Sequence, residues 1–233
     1  NDTLAYFELS PEERPQAHHR LTFSMSYFYD NLHLLPLSHD EVVHGKKTIL
    51  DKMWGDYDQK FAQCRSLFTY MYTHPGKKLN FMGNELGEFR EWDEKLQLDW
   101  NLLTYPKHIG FLHYLTDLSQ LYCECAALHR AEYDMRSFQW LDANDSAHSV
   151  YSYFRRVDGE TLLVILNLSN TKYPEYLLQF DRPTTLRELI NSDTSKYGGR
   201  DVTNDWVIYS NDRHQANIRL APMGSCIFRI YQD

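Results

Sequence analysis

Apolar residues recur at helical spacing three times in the first half of the chain, and alternate or run together in short stretches through the second half. Leu21, Met25 and Phe28 predict a helix over about 18–29, after the polar loop Ser10-Pro11-Glu12-Glu13-Arg14-Pro15. Tyr57, Phe61, Cys64, Phe68 and Met71 form one stripe and predict a helix over about 56–73. His74-Pro75-Gly76 ends it, because proline cannot continue a helix and glycine supplies the turn. Ile109, Leu112, Leu115, Leu118 and Leu121 predict a third helix over about 108–129. Two short apolar runs, residues 34–37 and 79–82, read as strands, although Pro36 removes a ladder donor from the first. Residues 40–55 form a long polar segment between the first of them and the second helix. Strand, long loop, helix, strand is the order of a βαβ unit with parallel strands.

Beyond Arg130 the pattern changes. Short strands are predicted at 137–141, 150–155, 162–168, 175–180, 186–190, 207–209, 217–220 and 226–231. Turn signals such as Asp158-Gly159, Gly198-Gly199 and Pro222-Met223-Gly224 separate several of them. This is the signature of an antiparallel β-sandwich. With no repeat and no Ser/Gly linker, the expected division is residues 1–131 and 132–233, the two parts packed directly together. The first part looks incomplete: two parallel strands cannot bury enough surface alone, and a parallel sheet needs cover on both faces. Both strands run into polar clusters, His39-Asp40-Glu41 and Asn84-Glu85, as strands of an alternating barrel do at their functional edge. The expected architecture is α/β plus all-β: the C-terminal part of a (β/α)8 TIM barrel followed by the sandwich, with the earlier strands outside this chain. The missing N-terminal barrel half, or self-association, is then expected to cover the exposed strand edges.

Charge narrows the partners. Twenty-four Lys+Arg against 32 Asp+Glu leave a net charge of -8, which argues against nucleic acid. No apolar run approaches the roughly 18 residues of a membrane span. The chain begins at Asn1 without Met and reads as mid-protein. Cys64, Cys123, Cys125 and Cys226 include no CxxC pair, so a reduced, cytoplasmic chain is expected. Seventeen Tyr and 5 Trp serve either packing or the stacking of sugar rings.

The densest chemistry lies at Ser38-His39-Asp40-Glu41, where an apolar run stops abruptly. Asp40 reads either as a reactive or stabilising carboxylate or as a helix N-cap. His39 reads as a hydrogen-bonding group for substrate or as a structural histidine. The five-residue spacing from His39 to His44 suits neither one helix face nor one strand face, and no HExxH occurs; neither metal nor cofactor is expected. Glu41 is a site residue or a solvated charge, and Asn84 and Glu85 either face the site or hold neighbouring loops. Trp92 and Trp100 line a groove or pin their irregular loop.

These residues carry a resemblance. Leu35-Pro36-Leu37-Ser38-His39-Asp40-Glu41-Val42-Val43-His44-Gly45-Lys46-Lys47 closely resembles the region of 1,4-α-glucan branching enzymes that holds their third catalytic carboxylate. Residues 74–85 resemble that family's eighth barrel strand, and Arg90-Glu91-Trp92 with Leu98-Asp99-Trp100 its following loop. Asn191-Ser192-Asp193 and Tyr197-Gly198-Gly199 resemble its C-terminal domain. The resemblance implies a glycosyltransferase of the α-amylase superfamily, acting in glycogen biosynthesis. Such an enzyme cleaves α-1,4-glucan and rejoins it through α-1,6 branches by a retaining double displacement. It assigns Asp40 the third, stabilising carboxylate and His39 a substrate hydrogen bond, with Glu41, Asn84 and Glu85 as further substrate-binding positions. It places the nucleophile and the acid/base on barrel strands outside this chain, so the chain alone is expected to be inactive. A hydrolytic relative on α-glucan and a non-catalytic carbohydrate-binding chain are the alternatives.

Overall fold

The computed structural model describes residues 2–232. Its helical part comprises α1 (Asp2–Phe7), α2 (His19–Thr22), strand β1 (Leu34–Leu37), α3 (Ile49–Lys52), α4 (Tyr57–Thr73), strand β2 (Lys77–Asn80), α5 (Pro106–Glu124) and α6 (Ala126–His129). The strands β3 (Phe138–Asp142), β4 (Val150–Val157), β5 (Glu160–Asn167), β6 (Tyr173–Gln179), β7 (Thr184–Asn191), β8 (Val207–Tyr209), β9 (Gln215–Leu220) and β10 (Ser225–Gln232) follow.

β1 and β2 pair in parallel, Leu34 opposite Lys77 through Leu37 opposite Asn80. Among the described residues β1 has no second neighbour, which leaves Pro36 in an edge strand where proline is tolerated. β2 begins and ends two residues earlier than the apolar run suggested. The ladder's last bond runs from the Phe81 N–H to the Leu37 carbonyl (2.9 Å), and Gly83, two residues on, adopts a left-handed φ of +93°.

Asp56 starts α4 through a capping box, its carboxylate accepting from the Gln59 amide while the Gln59 side chain accepts from the Asp56 amide, both at 2.9 Å. The helix is buried on more sides than its apolar stripe implies. Phe61, Cys64, Phe68 and Met71 are buried, but so are Arg65, Ser66, Thr69 and Thr73. That polar row meets the β-domain. Ser66 donates to the Met223 carbonyl (2.7 Å), Thr69 bonds Ser225 (2.7 Å), and Thr73 bonds the Tyr153 hydroxyl (2.5 Å). Buried polar groups require such partners, and here they weld the two parts.

Two helix expectations change. Residues 18–29 are a broken run, α2 followed by 3-10 turns at Phe23–Ser26 and Phe28–Asp30. Thr22 and Ser26 bond the carbonyls three residues back, and Ser24 reaches His74 instead (3.0 Å), so serine side chains compete with a continuous helix. The third helix stops at Glu124, and its buried face is His108, Phe111, Tyr114, Leu115 and Leu118. Ile109, Leu112 and Leu121 are only half-buried. The aromatic rings, with Gly110 packed against the Tyr197 backbone, set that face.

All eight predicted strands are present and antiparallel, but the two layers are unequal. One sheet has the order β3-β4-β5-β10-β7-β8, and β6 pairs only with β9. The larger sheet is covered on both faces. Val150, Phe154, Leu163, Ile165, Cys226 and Phe228 pack towards Leu178, Ala216 and Ile218 of the β6-β9 ribbon. Tyr151, Tyr153, Leu162, Val164, Leu166 and Ile227 join one core with α4 and α5. Burial on both faces explains why β5 reads as a continuous apolar run rather than an alternating one.

The loop after β7 closes on itself. Asp193 Oδ2 accepts from the Val202 amide (3.0 Å), and a Cβ at Gly199 would fall 2.0 Å from the Asp193 carbonyl oxygen. Gly199→Ala is therefore expected to lower stability by about 1–3 kcal/mol, read from the urea midpoint. A midpoint equal to that of the parent protein would contradict this packing.

Candidate active-site face

The polar cluster begins where β1 ends. Ser38 is extended and serves as N-cap position for the short 3-10 turn His39–Glu41. Asp40 therefore caps nothing: it sits inside the turn, and α3 is capped by Thr48, whose hydroxyl accepts from the Asp51 amide (3.1 Å). His39 Nε2 lies 3.2 Å from Asp40 Oδ1, and Ser38 Oγ donates to Asp40 Oδ2 at 3.5 Å. The Asp40 side chain is 71% exposed and that of His39 51%. An ionised carboxylate with so few internal partners keeps most of its acceptor sites open.

A set of anchors missing from the sequence reading holds this turn. The Glu91 carboxylate accepts from the Gly45 amide (2.8 Å) and the Lys47 amide (2.6 Å). These two backbone donors hold its carboxyl below the usual carboxylate range. Lys52 is buried and donates to the carbonyls of Glu41, Lys46 and Lys47. Burial pulls its ammonium pKa down, and the charges of Glu41, Glu8 and Glu91 oppose that shift. Trp92 donates its amide to the Val42 carbonyl (3.0 Å), and its ring meets His39 at 6.1 Å and Phe81 at 5.1 Å between centroids. Trp92 thus pins its loop; Trp100 is half-exposed. The only sequence signal for Glu91 is its place in Arg90-Glu91-Trp92, since no spacing links it to residues 45 and 47.

The second cluster follows β2 on the same edge. Asn84 is buried, and its amide nitrogen donates to the Leu37 carbonyl (3.3 Å) and Asn80 Oδ1 (3.0 Å). It therefore ties the ends of the two parallel strands together. The Glu85 carboxylate accepts from the Gly83 amide (3.0 Å) and closes its own turn. Glu41 is half-buried. It contributes to a cavity of about 250 Å3 between β1, α4 and the 20–28 segment, lined by Leu35, Leu37, Tyr70 and His74 among others. Neither His39 nor Asp40 lines that cavity. The structure brings Ser38, His39 and Asp40 together on an open face, ties Asn84 to the end of β1, leaves Glu85 closing its own turn, and places Glu41 at the rim of the neighbouring cavity.

Residues 140–231 match the family model described as the alpha amylase C-terminal all-beta domain. Over 237 residues the chain is 40% identical to the 1,4-alpha-glucan branching enzyme GlgB of Bacillus cereus, covering 98% of this chain and 37% of that protein. It is 47% identical over 205 residues to the enzyme of the same name from Nitrosomonas eutropha, covering 88% of this chain and 28% of that one. Among solved structures, the α-amylase of Geobacillus thermoleovorans complexed with acarbose superposes with a TM-score of 0.62 at 14% identity, over 99% of this chain and 47% of that one. An Anoxybacillus α-amylase gives 0.58 at 15% identity, over 99% of this chain and 45% of that one. At such identities these two report the shared fold alone. The chain spans about a third of the length of the curated relatives it matches. Strand ends carrying Ser38-His39-Asp40-Glu41 and Asn84-Glu85, the all-β domain behind them and identity sustained along the chain agree: this chain belongs to the 1,4-α-glucan branching enzyme family.

Proposed function

We propose that the protein carrying this chain transfers α-1,4-glucan segments onto C6 hydroxyls, forming α-1,6 branches in glycogen, and that residues 1–131 are the last part of its (β/α)8 barrel, with 132–233 as the β-domain. One observation carries the reading: β1 and β2 are parallel neighbours, and both deliver polar clusters to the same C-terminal edge. Asp40 is the stabilising carboxylate and His39 the substrate hydrogen-bonding group. In a retaining mechanism one carboxylate attacks the anomeric carbon while an acid about 5–5.5 Å away protonates the leaving oxygen. Those two groups come from other strands. Asp40 holds sugar hydroxyls and opposes the positive charge that develops on the ring. His39 serves through an N–H, whichever its charge state. Asn84 and Glu85 support this face. Leu34, Leu79 and Met82 are exposed beside the strands and await cover by the rest of the barrel. All four cysteines carry free thiols, which suits a cytoplasmic enzyme. No helix among the described residues is long and apolar enough to cross a membrane.

The test is amylose incubated with the full-length protein. Iodine absorbance is expected to fall and α-1,6 linkages to rise, while reducing ends stay nearly constant; a matching rise in reducing ends would indicate hydrolysis. The 233-residue chain alone is expected to do neither, and branching by it would place the reacting pair within this sequence.

A further inference from the structure

We infer that Glu91 is a positioning residue for His39 and Asp40, its carboxylate seated in the backbone amides of the 44–47 turn and holding that turn, and through it the His39–Glu41 turn, in place. The catalytic consequence rests on the function proposed above; the structural part does not.

The turn needs holding. His44, Gly45 and Lys47 all have left-handed φ values, +58°, +79° and +67°, and two of them carry a Cβ. Such residues persist only where their surroundings over-determine them. Consecutive backbone N–H groups in this conformation converge into a concave donor site for an anion. Glu91 supplies the anion, one oxygen to each amide. Lys52 grips the opposite polarity of the same backbone, the carbonyls of Glu41, Lys46 and Lys47. Lys46 lies between the two bonded amides, and its ammonium donates to the Asp40 carbonyl (2.8 Å). The contact path therefore runs from Glu91 to the turn, from the turn through Lys46 to the Asp40 backbone. A second path leaves from the adjacent residue, since Trp92 bonds Val42 and lays its ring against His39. Nothing else in the loop offers paired acceptors to Gly45 and Lys47. Glutamine is isosteric with glutamate, yet its NH2 would oppose one of the two backbone donors.

Glu91→Gln in the full-length protein separates positioning from stability. Misplacement of a reacting group by about 1 Å is worth about 100-fold in rate, so kcat on amylose is expected to fall by about 10- to 100-fold. KM should stay within about threefold, and the melting temperature within about 2 °C. Hydrogen exchange of the peptide spanning 42–48 should accelerate. Unchanged exchange would overturn the latch. Faster exchange with kcat unchanged, or a kcat loss that merely follows a large drop in melting temperature, would overturn positioning. If Asp40→Ala left the same protein active, the functional reading would fail, and the exchange result would still decide whether Glu91 holds the turn.

Discussion

Asp40→Ala in the full-length protein is expected to lower kcat on amylose by about 100- to 1,000-fold, the usual scale for removing one group that stabilises transition-state charge. The fold should hardly notice. The side chain is mostly exposed and its polar partners are Ser38 and His39, and such surface substitutions stay within about 0.5 kcal/mol. Steady-state kinetics alongside urea unfolding separate the two quantities. A variant with nearly the parent's kcat would remove Asp40 from the chemistry. A variant that lost activity only by unfolding would show that the short turn, rather than the carboxylate, is what matters.

The largest expected effect on stability lies far from that face. Arg65, on α4, is almost fully buried and donates to the carbonyls of Ser192 (2.7 Å) and Tyr197 (3.2 Å) in the β-domain. Burial lowers its pKa, and the neighbouring Asp193 and Asp58 oppose that shift. Hydrogen bonds from a charged group are worth about 1.5–3 kcal/mol each, and removing this donor leaves two buried carbonyls without it. Arg65→Ala should therefore cost about 3–6 kcal/mol in urea unfolding. Arg65→Met, which keeps much of the volume, should recover only part of the loss. A cost below about 1 kcal/mol for the alanine variant would mean that water replaces the guanidinium and that α4 is not tied to the β-domain as described.

What the sequence reveals follows the range of the interaction. Periodicity finds every β-domain strand because each is stamped by its own local alternation or apolar run. It finds α4 because the apolar stripe lies within the helix itself and the His74-Pro75-Gly76 stop directly follows it. It misplaces β2 by two residues, since the span of that strand is set by where β1 runs beside it, from Leu34 opposite Lys77 to Leu37 opposite Asn80. It misjudges 18–29 because serine and threonine hydroxyls interrupt a helix that Leu21, Met25 and Phe28 alone would support. The Ser38–Glu41 cluster is legible as chemistry, because polarity appears abruptly where packing does not ask for it. Its supports are not: Glu91 meets Gly45 across 46 residues, and no residue type announces a carboxylate held by backbone amides. The strand-tying amide of Asn84 is likewise a matter of direction, which a string of letters does not carry.

The polar row of α4 has a temporal consequence. Ser66 and Thr69 find their partners 157 and 156 residues later, at Met223 and Ser225. At ribosomal rates of about 5–20 residues per second, the helix waits about 8–31 s for the strand that satisfies it. During that interval its hydroxyls face either water or the wrong neighbour. The helical part therefore cannot mature as an N-terminal unit ahead of the rest. β10 completes α4 as well as the six-stranded sheet, where it lies between β5 and β7, so its removal should damage the helical part together with the β-domain.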